Sequence, residues 1–471
     1  MKRVLWSSWV LMTLAIAGYF SFVLLKAEDK SELLIGEASH GHFQIELACS
    51  SCHTDAFGGG EVIQSACVDC HGDDLALAHD SHPRKKFTDP RNADLLEVID
   101  ARQCVSCHTE HQKEQTHPMG VTLPEDYCYH CHQDIGESRL SHQGLAFDSC
   151  ASAGCHNYHD NRALYEDFLV ENSGQPWLQV VARLADSNHA ANQAPTRLPV
   201  QIADSQVQRQ QHDTITGQWL LSAHGRAGVD CAGCHTQGSD MDQAEWLEKP
   251  GLAQCQSCHA LETRGYLDGK HGMKLAAGFS AVTPQDSTLQ FQSQALHEPQ
   301  GCTSCHGAHD FDTQNAAVGA CLSCHDDEHS RAFLNSPHGR LAQAAIDGSK
   351  PWAEAVTCAT CHMPRMTHKN PGLNFAAATP GNLSLEKTVD GGASLGEGHE
   401  ATENAVISVV HNQNLTLRPN EKMIRPVCMS CHSLEFAIDA LADETLIRNN
   451  FSGNPKQHIE SVDWAVKRVK H

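Results

Sequence analysis

The sequence predicts a mostly α-helical and irregular fold, made of short helices and loops and preceded by one N-terminal transmembrane helix. Only 40% of the 471 residues are hydrophobic and 6% are aromatic, which is too little for a conventional side-chain core in a chain of this length. The 22 cysteines recur in closely spaced pairs, so another kind of core has to be considered. An uncharged run of residues, 4–25, follows Lys2 and Arg3 at the N-terminus.

The cysteine pairs share one pattern, because each pair is followed directly by a histidine. In the motif C-x-x-C-H the two thiols bond to one haem and the adjacent imidazole coordinates its iron. The eleventh pair, Cys150/Cys155/His156, has four residues between its cysteines, and we expect it to carry haem as well. The sequence therefore predicts eleven copies of haem c. The ten regular motifs are Cys49/Cys52/His53, Cys67/Cys70/His71, Cys104/Cys107/His108, Cys128/Cys131/His132, Cys231/Cys234/His235, Cys255/Cys258/His259, Cys302/Cys305/His306, Cys321/Cys324/His325, Cys358/Cys361/His362 and Cys428/Cys431/His432.

Two other uses of many cysteines are a disulfide scaffold and a series of zinc knuckles. Neither requires a histidine after every second cysteine. With about 43 residues for each motif, the haems themselves are expected to form the core as a stack, surrounded by short helices that begin at or run into the motifs.

The N-terminal apolar run is long enough to span a bilayer. The residues that follow it, Lys26-Ala27-Glu28-Asp29-Lys30, contain no A-x-A-like cleavage site. Lys2 and Arg3 should stay in the cytoplasm, which places everything after Leu25 outside. Haem attachment of this type also takes place outside the membrane. We therefore expect a single-pass protein of the cytoplasmic (inner) membrane, held in the lipid bilayer by this helix, with its haem domains in the periplasm.

The acidic composition indicates which kinds of partner the protein is expected to bind. The formal net charge is −23, from 57 Asp and Glu against 34 Lys and Arg, so nucleic acid is not an expected partner. An acidic surface either steers a basic redox partner or keeps a protein with little core soluble.

The spacing of the motifs predicts the domain organisation. The longest interval between successive motif starts, 81 residues, separates Cys150 from Cys231. We predict an anchor at 1–35, a pentahaem domain at 36–165, a linker at 166–214 and a hexahaem domain at 215–471. Intervals of 18 and 37 residues after Cys49 recur as 19 and 37 after Cys302, which indicates either duplicated haem modules or chance.

The second axial ligands are expected to be histidines. The chain has 33 histidines and only 9 methionines, and His/Met ligation would raise the potential, so bis-His haems of low potential are predicted. His111, His159 and His309 lie three residues after a proximal histidine, too close to reach the same iron but suited to a neighbouring one. For each candidate the alternative is a surface histidine or a propionate contact. The remaining candidates are His42, His82, His117, His142, His224, His271, His297, His329, His338, His368 and His411.

Two resemblances to known families follow from these motifs. The first part, with Ser39-His40-Gly41-His42 ahead of Cys49, resembles the small class III multihaem cytochromes c, which implies electron carriers with bis-His irons. The second part resembles the hydroxylamine oxidoreductase and cytochrome c nitrite reductase superfamily. That resemblance rests on Ser222-Ala223-His224-Gly225, Cys358-Ala359-Thr360-Cys361-His362-Met363-Pro364 and Arg425-Pro426-Val427-Cys428-Met429-Ser430-Cys431-His432.

Two departures from that superfamily weaken an enzymatic interpretation. The nitrite reductases usually carry a C-x-x-C-K haem, and the chain has no such motif. The hydroxylamine oxidases use a tyrosine late in the chain, whereas the last tyrosine here is Tyr266.

The sequence leaves two main functional hypotheses and predicts no catalytic residue. The first is a conduit that passes electrons between a membrane quinol-linked redox complex and periplasmic redox proteins. The second is a terminal reductase of a nitrogen or sulfur oxyanion, with one open haem in the second part and an anion bound by Arg340, Arg365, His368 or Lys369. Assembly into a haem filament is a third possibility, against which the retained anchor argues.

Overall fold

The computed structural model describes residues 2–26, 30–55, 58–77, 87, 93–115, 120–139, 142–150, 158–159, 166–173, 213–237, 245–368, 406–460, 462–463 and 467. The chain divides into two compact units, Met1–Leu75 with His82–Cys131 and Ala76–Ser81 with His132–His471. The division falls within the fourth motif. Most of the predicted linker, 174–212, lies outside the described residues, and the predicted domain boundaries stay predictions.

The predicted mostly α-helical and irregular fold is confirmed, with short helices, long loops and little strand. The described α-helices are α1 Lys2–Lys26, α2 Cys49–Cys52, α3 Gly60–Leu77, α4 Ala93–Val98, α5 Tyr129–His132, α6 Ile135–Ser138, α7 Glu166–Asn172, α8 Asp213–Leu221, α9 Ala223–Ala227, α10 Cys231–His235, α11 Leu252–Gln256, α12 Ala260–Asp268, α13 Met273–Ala276, α14 Cys302–His306, α15 Thr313–Ala317, α16 Gly319–Cys324, α17 Glu328–Phe333, α18 Pro337–Ile346, α19 Cys358–His362, α20 Leu434–Ala442 and α21 Glu444–Arg448. Short 3-10 helices cover Ser31–Leu33, Phe43–Ile45, Cys104–Ser106, Lys113–Gln115, Phe147–Ser149, Pro284–Asp286, Ser293–Ala295, Trp352–Glu354, Glu421–Met423 and Cys428–Ser430.

The N-terminal helix α1 is long and apolar enough to cross a membrane by its length and composition, a property that a signal sequence shares. Its side chains are almost all exposed, including Trp6 and Trp9. The helix itself is as expected, and its insertion in a bilayer stays a prediction.

Polar side chains cap several helices of the second unit at the residue where each helix begins. Ser336 precedes α18 and accepts a hydrogen bond from the backbone N–H of Gly339, and Pro337 occupies the first helical position. Ser222 and Asp230 do the same for α9 and α10. Such caps satisfy backbone donors that the first helical turn leaves unpaired, so short helices can begin at defined residues.

The apolar side chains of the second unit form two clusters. The larger one gathers Leu169, Ile424, Leu434, Ile438 and Val462 around helix α20, and Ile424, Leu434 and Ile438 are wholly buried. The smaller one joins Val318, Phe333 and Ala342. Both clusters are small for a unit of this length, as expected of a protein whose core is not made of side chains alone.

Two small antiparallel sheets complete the described structure of the second unit. Strands β1 Thr236–Gln237 and β2 Glu245–Trp246 pair directly after the motif helix α10. Strands β3 Arg365–His368 and β4 Val406–Val409 pair with Arg365 opposite Val409. The second sheet brings the chain that follows β4 back to the motif that precedes β3.

Candidate haem-attachment sites

The ten regular cysteine motifs all lie on or overlap a helical turn. Residues three apart lie on one face of a helix, so a single turn presents both thiols of a motif on the same side, with the histidine next to them. None of the 21 described cysteines is in a disulfide. Cys155 and His156 lie outside the described residues.

In the second unit, the six proximal histidines of the regular motifs from Cys231 onward each have a second histidine ring close by. The two ring centroids of each pair are 5.9 to 6.3 Å apart. The pairs are His235 with His309, His259 with His224, His306 with His411, His325 with His271, His362 with His329, and His432 with His338.

The separation of these rings fits a metal ion held between them. A metal–imidazole bond is about 2 Å long, so two imidazoles on opposite sides of one metal have ring centres about 6 Å apart. In the first unit, His42 and His71 have the same relation, with centroids 5.9 Å apart. Each of these seven pairs joins one proximal histidine to one candidate distal histidine, so the residues present fit a haem iron with two histidine ligands.

The proximal histidine of the first motif, His53, does not have these surroundings. Helix α2 ends at Cys52, and His53 leaves the helical conformation with φ of −95° and ψ of 67°. Its backbone N–H still donates to the Cys49 carbonyl at 2.8 Å, but its side chain is exposed and faces no second histidine ring among the described residues. The expected pairing of a proximal with a distal histidine is therefore not found at His53 among the described residues. Ligation of iron by His53 stays a prediction.

Backbone carbonyl groups determine which ring nitrogen carries the proton in several of the candidate ligands. A carbonyl oxygen only accepts, so the Nδ1 that faces it carries the proton and Nε2 keeps the electron pair that a metal requires. In His329 this Nε2 accepts from the Asn450 side-chain amide at 3.0 Å. The Nδ1 contacts are His108 to Gly120 (3.0 Å), His111 to Gly36 (2.9 Å), His235 to Leu247 (2.7 Å), His329 to Ile447 (2.7 Å), His362 to Thr416 (2.5 Å) and His411 to Val409 (2.9 Å).

Burial keeps other candidate ligands neutral. It lowers the pKa of His271 to about 4, with a further contribution from neighbouring His325. The pKa of His338 is also lowered to about 4, again by burial and then by His432. A neutral imidazole has the free electron pair that a metal requires.

Three candidate distal histidines share one local structure that depends on glycine. Each is followed by a glycine at which a Cβ would overlap the carbonyl oxygen six residues earlier. No residue with a side chain fits there without displacing backbone. The signal in the sequence is the dipeptide H-G, which recurs at all three places, although only its occurrence at His224 was used for a prediction. The three are His224-Gly225 against Trp219, His271-Gly272 against Tyr266 and His338-Gly339 against Phe333.

His111 and His309 occupy the same place relative to a motif, three residues after a proximal histidine. Both adopt a left-handed backbone, with φ of 62° and 73°, which is uncommon for a residue with a side chain and marks a functional constraint. The ring of His309 lies nearly parallel to that of His235, at an interplanar angle of 7°. The backbone of His111 has a similar φ, which favours His111 as a distal ligand in the first unit.

The cysteines of successive motifs lie close enough to interact. The Cys255 and Cys302 thiols are in hydrogen-bond contact, as are those of Cys321 and Cys358. Cys67 and Cys104 make the same contact in the first unit, so both intervals of 37 residues correspond to one arrangement. Cysteines of the other successive motifs are close enough to interact electrostatically. These are Cys52 with Cys70, Cys234 with Cys255 and Cys258, Cys305 with Cys321 and Cys324, and Cys361 with Cys428 and Cys431.

Aromatic residues are scarce in the chain, yet several pack on these histidines. Trp246 stacks on His235 at a centroid distance of 4.9 Å, and Phe436 stacks on His432 at 4.7 Å. Such contacts hold the rings in place and exclude water from them.

The other candidate distal histidines have different surroundings. His297 is exposed and faces no proximal ring among the described residues. His142 and His159 are half-buried, and the ring of His159 lies 5.2 Å from that of Tyr158. For His368 the backbone at the end of β3 is described but the side chain is not. His82 and His117 lie outside the described residues.

The candidate anion-binding residues of the second part also have different surroundings. Arg340 is exposed and donates from Nη1 to the Asn335 carbonyl at 2.8 Å. Arg365 is half-buried, its Nη1 is buried without a hydrogen-bond partner in the described part of the chain, and burial lowers its pKa. An unpaired buried guanidinium group fits the carboxylate of a haem propionate. Lys369 lies outside the described residues.

Comparison with known proteins adds one match. A family model described as cytochrome c3 matches residues 41–133, the segment that contains the four motifs from Cys49 to His132. No curated protein and no solved structure matches the chain. The resemblance of the C-terminal part to the hydroxylamine oxidoreductase and nitrite reductase superfamily stays a prediction. The match and the motifs together indicate that the N-terminal segment is that of a multihaem cytochrome c, a haem-binding electron-transfer protein.

Proposed function

We propose that this chain is a membrane-anchored periplasmic cytochrome c with eleven haems, which conducts electrons between a membrane quinol-linked redox complex and periplasmic redox proteins. The observation that carries the proposal is that six proximal histidines of the second unit each face a second histidine at the same separation. Bound haem c would supply one-electron redox chemistry at these sites.

The histidine pairs favour electron conduction over reduction of a small substrate. If both histidines of a pair held the iron, an oxyanion would have no free position at that haem. The alternative reductase needs one open site in the second part, and each of the six regular motifs there has a facing histidine. Arg340, one of the proposed anion-binding residues, is already engaged with a backbone carbonyl.

The arrangement of the motifs supports the same function. From Cys231 to Cys431, the cysteines of every motif lie close to those of the next motif along the chain. Consecutive attachment sites therefore form a continuous series, which is what a conduit requires. A distal ligand can come from the chain beside a different motif. His309 follows the motif that ends at His306, but its ring faces the proximal His235.

The location and partners belong to the proposal as well. Helix α1 is suited to hold the chain beside a quinol-linked complex in the inner membrane, and the positively charged Lys2 and Arg3 would stay on the cytoplasmic side. The net charge of −23 would attract periplasmic redox proteins with a basic surface.

The test is low-temperature electron paramagnetic resonance on the oxidised full-length protein, with haem quantified by mass and by pyridine haemochrome. Eleven haems, all low-spin, are expected. A high-spin fraction near one haem in eleven would favour the reductase and call for assays with nitrite, hydroxylamine and sulfite.

A matched pair of variants tests the assignment of the ligands. His411 faces the proximal His306, so H411A should convert one haem to a high-spin species. His297 is exposed and faces no proximal ring among the described residues, so H297A should leave the spectrum unchanged. A wholly low-spin spectrum of H411A would contradict the assignment.

A further inference from the structure

A carboxylate lies directly behind one candidate axial ligand of the first unit. Glu110 Oε1 is 2.6 Å from Nδ1 of His42, the histidine whose ring faces that of His71. Ser39 binds the same carboxylate twice, by its backbone N–H to Oε2 and by its hydroxyl to Oε1, both at 2.8 Å. Ser39 is buried and Glu110 is 31% exposed at its side chain, so the three residues form a defined cluster.

The donors around Glu110 decide the direction of this hydrogen bond. Its carboxylate already accepts from the Ser39 backbone N–H and from the Ser39 hydroxyl, and His42 Nδ1 is its third close neighbour. The ionised carboxylate only accepts hydrogen bonds. His42 therefore donates from Nδ1, and its Nε2 keeps the free electron pair that an iron requires.

Three candidate distal ligands of the second unit have a weaker acceptor at Nδ1 or none. The Nδ1 atoms of His329 and His411 donate to neutral backbone carbonyls. The buried Nδ1 of His224 has no hydrogen-bond partner among the described residues. A hydrogen bond to a carboxylate is stronger than one to a neutral oxygen, and it makes the imidazole a more basic ligand.

We propose that Glu110 lowers the midpoint potential of the haem attached at Cys67 and Cys70 by accepting the hydrogen bond from its distal ligand, His42. A more basic imidazole and a nearby negative charge both stabilise the oxidised iron, which carries one more positive charge than the reduced iron. Glu110 is thus a positioning and tuning residue that acts through His42. The inference rests on the proposed function, since it requires haem ligation by His42 and His71.

The test is a redox titration of the full-length, haem-loaded protein, followed by electron paramagnetic resonance. In E110Q the amide oxygen still accepts from Nδ1 but carries no charge. One low-spin haem should shift to a more positive midpoint potential while the others stay unchanged. The control is E37Q: Glu37 is exposed and ion-paired with Lys113, so this variant removes one carboxylate of the same unit that does not contact a ligand.

A second variant gives an effect of opposite sign. The Ser39 hydroxyl shares Oε1 with His42, so S39A frees that oxygen for a stronger bond to His42. The same haem should then shift to a more negative potential. Unchanged potentials in both variants, a shift of S39A in the same direction as E110Q, or a high-spin haem in E110Q would each overturn the proposal.

Failure of this inference is distinguishable from failure of the proposed function. Peptide mass mapping reports whether haem is bound at Cys67 and Cys70, and the spectrum of the wild-type protein reports whether that haem is low-spin. Absence of that haem, or a high-spin state in the wild type, would remove the proposed function at this site. If that haem is low-spin and its midpoint potential is the same in E110Q as in the wild type, Glu110 does not tune it, and the proposed function at this site is unaffected.

Discussion

The two units differ in what fills their interiors. In the second unit, Ile424, Leu434 and Ile438 are completely buried in a cluster around α20. In the described part of the first unit, the buried apolar residues outside α1 are Ala38, Ala48 and Ala66. Burying a leucine or isoleucine contributes about 1.5–3 kcal/mol, and alanine contributes much less. The first unit therefore depends on its haems for a core to a greater degree than the second.

The largest expected effect is loss of structure when haem is not attached. A chain produced without haem attachment should lose amide protection throughout the first unit outside α1, because no large buried side chain in its described part replaces the missing core. Helix α20 should keep partial protection through its own apolar cluster. Hydrogen exchange followed by mass spectrometry measures both regions in one sample.

Equal loss of protection in the two units would contradict this expectation. It would mean that the cluster around α20 also forms only when haem is bound. The haem-loaded protein under the same conditions is the control.

A substitution in the apolar cluster around α20 measures how much this cluster stabilises the second unit. Ile438 is fully buried in α20, so I438A should lower the free energy of unfolding by about 2–5 kcal/mol, through lost burial and a residual cavity. Leu417 is 45% exposed, and L417A should change it by less than about 0.5 kcal/mol. Denaturant titration of the haem-loaded protein, monitored by far-ultraviolet circular dichroism, gives both values. Similar small effects of both variants would mean that the cluster adds little to the stability of the second unit.

A smaller effect is expected at the cap of α18, the helix that carries His338. Ser336 is fully buried and its hydroxyl accepts from the Gly339 N–H, so S336A should cost about 1 kcal/mol. S323A is the control, because Ser323 is exposed and its hydroxyl donates to the Ala320 carbonyl without capping a helix. Thermal unfolding of the two variants measures the difference in stability. An equal loss of stability in both would show that the Ser336 cap contributes no more than the Ser323 hydrogen bond.

The smallest effect is an ion-pair contribution near the C-terminus that depends on pH. Hydrogen bonds to Asp439 and Asp463 raise the pKa of His458 to about 9, above the ordinary value of about 6.5. Because the folded-state pKa is raised, the stabilisation is complete below about pH 6.5, decreases above it and is lost above about pH 9. H458Q should reduce the stability at pH 6 by less than about 1 kcal/mol, since exposed ion pairs are weak.

Denaturant titrations of wild type and H458Q at pH 6, 8 and 10 measure this contribution. The difference between the two proteins should shrink with rising pH and vanish at pH 10. A difference that grows with pH would contradict the assigned direction of the pKa.

Features that depend on neighbouring residues could be predicted from the sequence alone. The apolar run that forms α1, the short helices at the motifs and the cysteines presented on single helical turns follow from local composition and spacing. The recurrence of H-G at His224, His271 and His338 could also be read from the sequence, since each glycine is required by a backbone carbonyl only six residues earlier. The repeated 37-residue interval could be read from the sequence, but the common cysteine contact behind it could not.

Only the tertiary structure decided which histidines face one another. His297 and His411 are both histidines outside a motif, yet His411 faces His306 because the pairing of β3 and β4 returns the chain to this region, while His297 is exposed. His53 belongs to a motif as regular as that of His306, yet its ring is exposed. Glu110 lies 68 residues from His42 along the chain, and nothing in either local sequence predicts their contact. Pairing of distant ligands depends on the path of the whole chain, whereas a motif depends on one helical turn.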